Sequence, residues 1–575
     1  MDLHQDLSTV LQHQTKLPLE DIQLLLTTTP DAKMGDYAFP CFKLTTIQNK
    51  NPKDAATTLQ TQLQKHLPEY ISHTQINGPY LNFYLNYNIV AKNILTKIQT
   101  ENKTYGSAKN KKNIVIEYCG PNTNKPLHLG HMRNMALGNA ICRLSTFCGN
   151  TVHPVNIIND RGIHICQSML AYQKWGKNKK PDKKGDHFVG DYYVLFAKAL
   201  QEHPELKDEA QQLLQAWEDK DKDTHKLWKE MTNWVLRGFA ETYKRFGITF
   251  EKEYFESNHY EQGRDLALEG LKKGIFIKND DKSILAKLES YGIPDKIVLR
   301  ADGTSIYITQ DLYLAQQRHT DYKFDQMIYV VASEQQLHFK QLFKILELLQ
   351  KPFAKSLHHL SYGLVNLPSG RMKSREGTVV DADDLMDEIA MLARSEVTLR
   401  YPNMDEKEKQ QRAEFIALGA IKFFLLRTDP IRDMVFNPEE SISFEGETGP
   451  YIQYTHARAC AILRKAHQPI TELKTKTTTK NIKYERLTET IEKKIIKYLL
   501  QFPSAIEESA THLKPHLLCR LLLDLAQSFN EYYHAHPVIN EDLELMNARL
   551  ALVDSVRQVL ENGLNLLGIK APEEM

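Results

Sequence analysis

No stretch of the 575-residue chain is apolar for long enough to cross a bilayer, which takes about 20 consecutive apolar residues. The opening Met1-Asp2-Leu3-His4-Gln5-Asp6-Leu7 lacks the basic region and apolar core of a signal peptide. Cysteine is sparse: there are seven, an odd number scattered from Cys41 to Cys519, and no two form a CxxC pair. That usage argues against a disulfide framework and against a structural zinc site, and suits a reducing compartment. A cytoplasmic protein is therefore expected. Net charge is nearly absent, with 73 basic against 72 acidic residues, so a polyanionic partner is neither demanded nor excluded and local distribution decides. Two basic clusters stand out, Lys174 to Lys184 and Lys474 to Lys483, and either is read first as a solvated loop. No fixed-period repeat is found.

What is present is an ordinary globular composition, 42% hydrophobic and 25% charged, over a length that exceeds a single core. Residues 1–108 read as a small α+β module. Its helices are expected over Leu3 to Leu17 and Ala55 to Leu67, a strand over 78–86, and a polar linker over 101–112. Residues 109–410 alternate strand and helix, with strands expected at Ile114 to Tyr118, Thr151 to Ile158, Met327 to Ala332 and Leu360 to Leu367. Such alternation implies a mostly parallel, doubly wound sheet. An inserted segment at about 170–300 is charged and reads as helical, placed to sit above the strand ends where ligands bind. Residues 411–575 carry apolar residues at helical spacing in Glu485 to Phe502, Lys514 to Tyr533 and Leu543 to Leu567, the pattern of an α-helical bundle.

Two motifs carry chemistry. The first is Pro121-Asn122-Thr123-Asn124-Lys125-Pro126-Leu127-His128-Leu129-Gly130-His131, between the strand at Ile114 and a helix from Met132 onward. Helix-start N–H groups lack partners and carry positive partial charge, so this junction suits phosphate. His128 and His131 add side-chain donors, and Gly130 lets a nucleotide approach the backbone. The layout is that of an ATP site for adenylyl transfer, although small nucleotidyltransferases carry HxGH too. The second motif is Ser369 to Val380, where Arg371, Lys373 and Arg375 could place positive charge on a triphosphate as it breaks. Alone it is equally a basic surface turn. The two occur in order, about 240 residues apart.

Together they resemble the HIGH and KMSK signatures of class I aminoacyl-tRNA synthetases. Further segments resemble the arginyl-tRNA synthetases in particular. These are Ile116-Glu117-Tyr118-Cys119-Gly120-Pro121-Asn122, Ser305-Ile306-Tyr307-Ile308-Thr309-Gln310-Asp311-Leu312, Glu445 to Arg458, and the tail from Arg549 to Met575. The likeness runs nearly the length of the chain and is weakest in the insertion and in residues 1–75.

The resemblance implies a Rossmann-like catalytic domain, an N-terminal module that contacts the tRNA elbow, and a C-terminal helical domain that reads the anticodon loop. It implies ATP with Mg²⁺, L-arginine and tRNA(Arg) as ligands, no membrane, no protein-built metal site, and a monomer. His128 and His131 would stabilise the reacting phosphate, with Pro126, Leu129, Gly130, Met372 and Ser374 as further ATP contacts. Arg371 stands where the family's first loop lysine is usual, and Ser374 where the last one is. Lys125 is expected to supply the missing cation, with Lys373 and Arg375 as substitutes. Glu117, Asn122, Tyr307, Asp311 and Gln335 would bind arginine, and Tyr451, Tyr454 and Arg458 would contact tRNA, with His456, Tyr532 and Tyr533 of the same chemical types nearby. Arg161 in Asn159-Asp160-Arg161-Gly162 replaces the more familiar tryptophan. A catalytically silent tRNA-binding paralogue and an adenylyltransferase that never meets RNA are the alternatives.

Overall fold

The structure is a computed structural model that describes all residues except 1–2, 30, 261, 304–305, 367, 369–379 and 468–481. It forms two compact units. One comprises Met1–Asn102, Ile462–Leu500 and Ser528–Val556; the other comprises Lys103–Ala461, Gln501–Gln527 and Arg557–Met575.

In the first unit, an antiparallel sheet orders Thr27–Thr28, Tyr37–Pro40, Tyr80–Leu85 and Ile71–Asn77 side by side. The strand expected over 78–86 is thus one arm of a hairpin. Its turn includes Gly78 in the left-handed region (φ +59°). Helix Leu3–Thr15 buries Leu3, Leu7 and Leu11 at helical spacing. Asp36 holds the unit together: Oδ2 accepts the Leu85 N–H at 2.9 Å and Oδ1 accepts the Tyr87 hydroxyl at 2.6 Å.

The second unit is built on five parallel strands: β1 (Asn113–Glu117), β2 (Thr151–Ile158), β3 (Lys252–Phe255), β4 (Gln326–Ala332) and β5 (Leu357–Tyr362). Their order across the sheet is β5-β4-β1-β2-β3. This is the doubly wound order in which ligands bind at the carboxyl ends where the winding reverses, here at β1 and β4. Ile114, Val115 and Ile116 are all buried, as expected for a central parallel strand covered on both faces. The helices that matter below are α1 (Leu129–Phe147), α2 (Lys222–Phe246), α3 (Tyr307–Tyr322), α4 (Gln336–Leu348), α5 (Ala382–Arg400) and α6 (Gly449–His467). Among the described residues no helix is long and apolar enough to cross a membrane.

Two expectations change here. The stretch 170–300 is helical up to Phe246, and beyond it over Gly263–Lys272 and two short 3₁₀ turns. It also supplies β3, which pairs with β2 from Val155↔Lys252 to Ile158↔Phe255, and a small antiparallel sheet of Phe276–Lys278, Ile284–Ala286 and Lys296–Leu299. β3 is short and half charged, so no periodicity marks it. The strand expected at Leu360 to Leu367 starts earlier, and beyond Tyr362 the chain leaves the sheet. Val365–Asn366 pairs instead with Met434–Val435.

Two buried polar side chains on α1 fix it to the strand ends. Arg133 donates to the carbonyls of Gly363 (2.6 Å), Pro430 (3.1 Å) and Arg432 (2.8 Å). Asn134 accepts from the Cys119 N–H and donates to the Val330 carbonyl at 2.8 Å, tying the exit of β1 to β4. Buried polar groups bonded in this way specify one arrangement and are costly to deprive of those partners.

Candidate active site

The chain leaves β1 through two left-handed residues, Cys119 (φ +84°) and Gly120 (φ +63°). The cost of placing a cysteine there is offset by bonds on both sides: Asn134 accepts from Cys119 and the Asn156 amide oxygen accepts from Gly120 N–H at 3.0 Å. Beyond this bend a cleft of about 1150 Å³ opens over the carboxyl ends of β1, β2 and β4. Glu117, Asn122, His128, Gly130, His131, Tyr307, Asp311 and Gln335 all line it. Residues from four separate segments of the sequence reading therefore converge on one cavity.

At the helix end of the cleft the two histidines cap α1. His128 is the N-cap residue, and its Nδ1 accepts the Gly130 N–H at 3.1 Å. The Nδ1 of His131 accepts the His128 N–H at 3.2 Å. The rings lie 3.9 Å apart. Burial, with the nearby Lys125 charge, pushes His128 down to about 3. Burial, His128 and Lys125 push His131 well below the ordinary imidazole range. Both rings are therefore neutral near pH 7, and since each Nδ1 is an acceptor, each proton sits on Nε2. The result is a pair of fixed Nε2–H donors.

The expectation that unpartnered helix-start N–H groups would hold phosphate is corrected. The Gly130 N–H is taken by His128, and the Leu129 N–H donates to the Val380 carbonyl at 3.1 Å. Ala382 N–H in turn donates to the Leu127 carbonyl at 3.0 Å, with His128 and Asp381 bridged. The residue just after the second motif is thus registered against the first. Gly130 has a steric role as well: a Cβ there would stand 3.0 Å from the His128 ring. Leu129 is fully buried and has no side-chain access to the cleft. Lys125 and Pro126 line not the main cleft but a smaller cavity of about 200 Å³ that shares His128 with it. Arg371, Met372, Lys373, Ser374 and Arg375 lie outside the described residues.

At the other end, Tyr307 and Asp311 sit one turn apart on α3, as the spacing predicts. Tyr307 is 71% exposed. Asn122 and Gln335 are exposed to the cleft as well. Glu117 is buried and forms an ion pair with the fully buried Arg318. Burial raises Glu117 above the usual carboxylate range, and Arg318 pulls it back. Asp311 accepts at Oδ2 from His338 Nε2 at 2.6 Å. Arg318 and His338 are the residues that sequence reasoning missed. Arg318 lies seven residues beyond Asp311, on the same face of α3, which is the signal that could have found it. His338 lies three residues beyond Gln335 but has no spacing that announces its partner.

Three further placements bear on the expectations. Arg161 pairs with Glu218 at 2.8 Å and lies over the rings of Tyr260 (4.1 Å) and Trp217 (5.3 Å), so it anchors the loop after β2 against the inserted helices. Asp186, His187 and Asp383 stand close enough to hold a metal, yet Lys184 Nζ already bridges Asp186 (3.0 Å) and Asp383 (2.6 Å) as the local cation. Tyr451, Tyr454 and Arg458 lie on α6 and line neither cavity; Arg458 covers the Tyr454 ring at 4.8 Å, and Arg400 approaches the same ring at 5.8 Å. Tyr532 is fully buried, and His456 is buried with Nδ1 on the Pro572 carbonyl at 2.9 Å, so neither presents a face to a base.

Comparison with known proteins settles the family. Residues 92–438 match the model for tRNA synthetases class I (R), catalytic domain. The arginine–tRNA ligase of Treponema denticola is 45% identical, over 96% of this chain and 95% of its own. The chain belongs to the arginyl-tRNA synthetases. Residues 452–575 match the DALR anticodon binding domain, and residues 1–85 the arginyl tRNA synthetase N terminal domain. The arginine–tRNA ligase of Treponema pallidum is 43% identical over 98% of this chain and 97% of its own. Among solved structures the arginyl-tRNA synthetase of Thermus thermophilus superposes with a TM-score of 0.84 at 28% identity, over 100% of each chain. The class I α/β fold with its helical C-terminal domain is therefore established.

Proposed function

We propose that the cleft carries out both half-reactions of an arginine–tRNA ligase, the activity of the family, with its two ends dividing the work. The observation that carries this reading is the meeting in one cavity of His128 and His131 with Glu117, Tyr307 and Asp311. In the first step the arginine carboxylate attacks the α-phosphorus of ATP; a P–O bond forms to the carboxylate and the bond to pyrophosphate breaks. ATP enters with Mg²⁺ held mainly by its phosphates. The Nε2–H groups of His128 and His131 donate to phosphate oxygens as charge builds in the pentavalent state, with no proton transfer required of them. Gly130 keeps the His128 ring over the helix start.

Asp311 accepts the guanidinium fork, Tyr307 covers its plane, and Asn122, Gln335 and Glu117 orient the α-amino end. In the second step a ribose hydroxyl at the 3′ end of tRNA(Arg) attacks the arginyl carbonyl, forming the ester and releasing AMP. The family's lysine-rich loop corresponds to Arg371 to Arg375, whose guanidinium at Arg371 is a planar fork in place of a point charge. Lys125 is assigned to the triphosphate from the adjoining cavity; its charge already reaches both histidines. Tyr451, Tyr454 and Arg458 belong to the tRNA-binding surface, and the enzyme acts in the cytoplasm as a monomer.

The test is arginine-dependent ATP–pyrophosphate exchange with and without tRNA(Arg), with lysine and citrulline as controls. Exchange with arginine alone supports the assignment. Tight tRNA binding with no exchange under any condition would identify a silent paralogue.

A further inference from the structure

The ring of His338 reaches Asp311 from a different element, and its position explains how one carboxylate can select a planar cation. Asp311 sits in the second turn of α3, on a side chain with two rotatable bonds. Left alone, its carboxylate would swing and rotate, and a fork needs both oxygens in one plane. His338 stands near the start of α4, after β4 and the turn Ser333–Gln335, and lines the same cleft. Its Nε2 lies 2.6 Å from Asp311 Oδ2. Asp311 Oδ1 makes no bond among the described residues. A carboxylate has about four lone-pair directions, so a bond from His338 uses one and leaves both oxygens able to accept.

The support behind His338 is rigid. Its neighbour Phe339 is buried and stacks on His359 at 4.3 Å between centroids, and it meets Tyr329 of β4 at 5.0 Å. His359 in turn is placed by a 2.9 Å bond to the Val331 carbonyl. The start of α4 is therefore locked to β4 and β5, and His338 projects from a fixed base. Another carboxylate near this end, Glu117, is engaged by Arg318 from the interior.

From this we infer that His338 is a positioning residue for arginine selection: it clamps Asp311 Oδ2 and holds the carboxylate plane in the orientation that a guanidinium fork matches. A lysine ammonium is a compact charge indifferent to that plane, so it gains nothing from the clamp. The clamp thereby favours arginine over lysine as well as strengthening arginine binding. This rests on the reading of Asp311 as the guanidinium acceptor.

The experiment is tRNA-supported pyrophosphate exchange on full-length His338→Ala, His338→Gln and Asp311→Asn, with KM for arginine, KM for ATP, kcat and lysine discrimination measured for each. Outer partners of a binding group typically contribute about 10-fold to 100-fold. His338→Ala is expected to raise KM for arginine about tenfold and lower arginine-over-lysine discrimination, with KM for ATP unchanged. His338→Gln, whose amide can place an N–H near the Nε2 position, is expected to recover part of both. If Asp311→Asn abolishes arginine use while His338→Ala leaves KM and discrimination unchanged, the clamp is refuted and Asp311 stands. If His338→Ala shifts both KM values equally and His338→Gln recovers neither, His338 is structural and the clamp is again refuted. If Asp311→Asn leaves KM for arginine unchanged, the underlying assignment itself falls.

Discussion

The two ends of the cleft solve opposite electrostatic problems by opposite means. At the α1 end, His128 and His131 are kept uncharged by burial and by Lys125, and their Nδ1 atoms are occupied by backbone N–H groups. At the α3 end, Glu117 is ion-paired with Arg318 and Asp311 is hydrogen-bonded to His338. A phosphate that gains charge for an instant is served by neutral donors frozen in place, which need no reorganisation when the charge appears. A substrate that arrives with a permanent positive charge is served by carboxylates that a partner already holds from behind. The lesson is that both ends are preorganised, one by removing charge and the other by fixing its carboxylates.

The sharpest way to break this comparison is to unbalance the paired end. Arg318→Ala leaves Glu117 buried without its partner, a change that typically costs about 3–5 kcal/mol. Urea denaturation is expected to show a loss of that order, with Glu117→Gln in the same chain recovering part of it. An unchanged midpoint would mean that the pair contributes nothing.

The neutral end predicts a kinetic loss instead. His131→Ala is expected to reduce kcat in pyrophosphate exchange by about 10²–10³, the usual consequence of removing one preorganised donor, with little change in KM for arginine. A shift in KM for arginine without a kcat effect would move His131 to the wrong end of the cleft. Gly130→Ala is milder. A Cβ at that position presses the His128 ring at 3.0 Å, so the ring must shift by a few tenths of an ångström. About a tenfold loss in kcat at constant urea midpoint is the expected outcome.

The smallest effect is on stability with pH. Unfolded histidines take up protons from about pH 6.5 downward, whereas folded His128 does so only at about 3. The unfolded state therefore binds more protons throughout that window, and stability falls as pH is lowered from about 6.5 toward 3. Between pH 7.5 and 5.5 the expected loss is about 1 kcal/mol for His128. It should vanish in a His128→Gln chain compared at the same two pH values. Equal acid sensitivity in both chains would show that His128 is charged when folded.

What the sequence made legible was local. The histidine motif, its position between a strand and a helix, and four of the five parallel strands follow from apolar runs and turn residues within a short window. Tyr307 and Asp311 were readable as one helical face because their spacing is four. β3 was hidden because Lys252-Glu253-Tyr254-Phe255 offers only two apolar residues inside a charged region, and its assignment depends on pairing with β2. Arg318 and Glu117 meet only after the sheet has formed, and the occupied N–H groups of Leu129 and Gly130 depend on Val380 and on the ring of His128. Contacts of that kind are written in three dimensions and have no linear signature.

The place of β3 changes what the long helical segment is. Because β3 lies beside β2 and parallel to it, everything from Ile163 to Phe246 is one crossover connection between neighbouring strands, enlarged into a body of its own. Besides its two ends, this crossover is tied along its length, by Lys184 to Asp383 and by Glu218 to Arg161. Its turns away from those ties can change length without altering the register of β2 and β3, whereas His187, Gly190 and Tyr193 line the cavity of Lys125 and His128, so that part of the body belongs to the site.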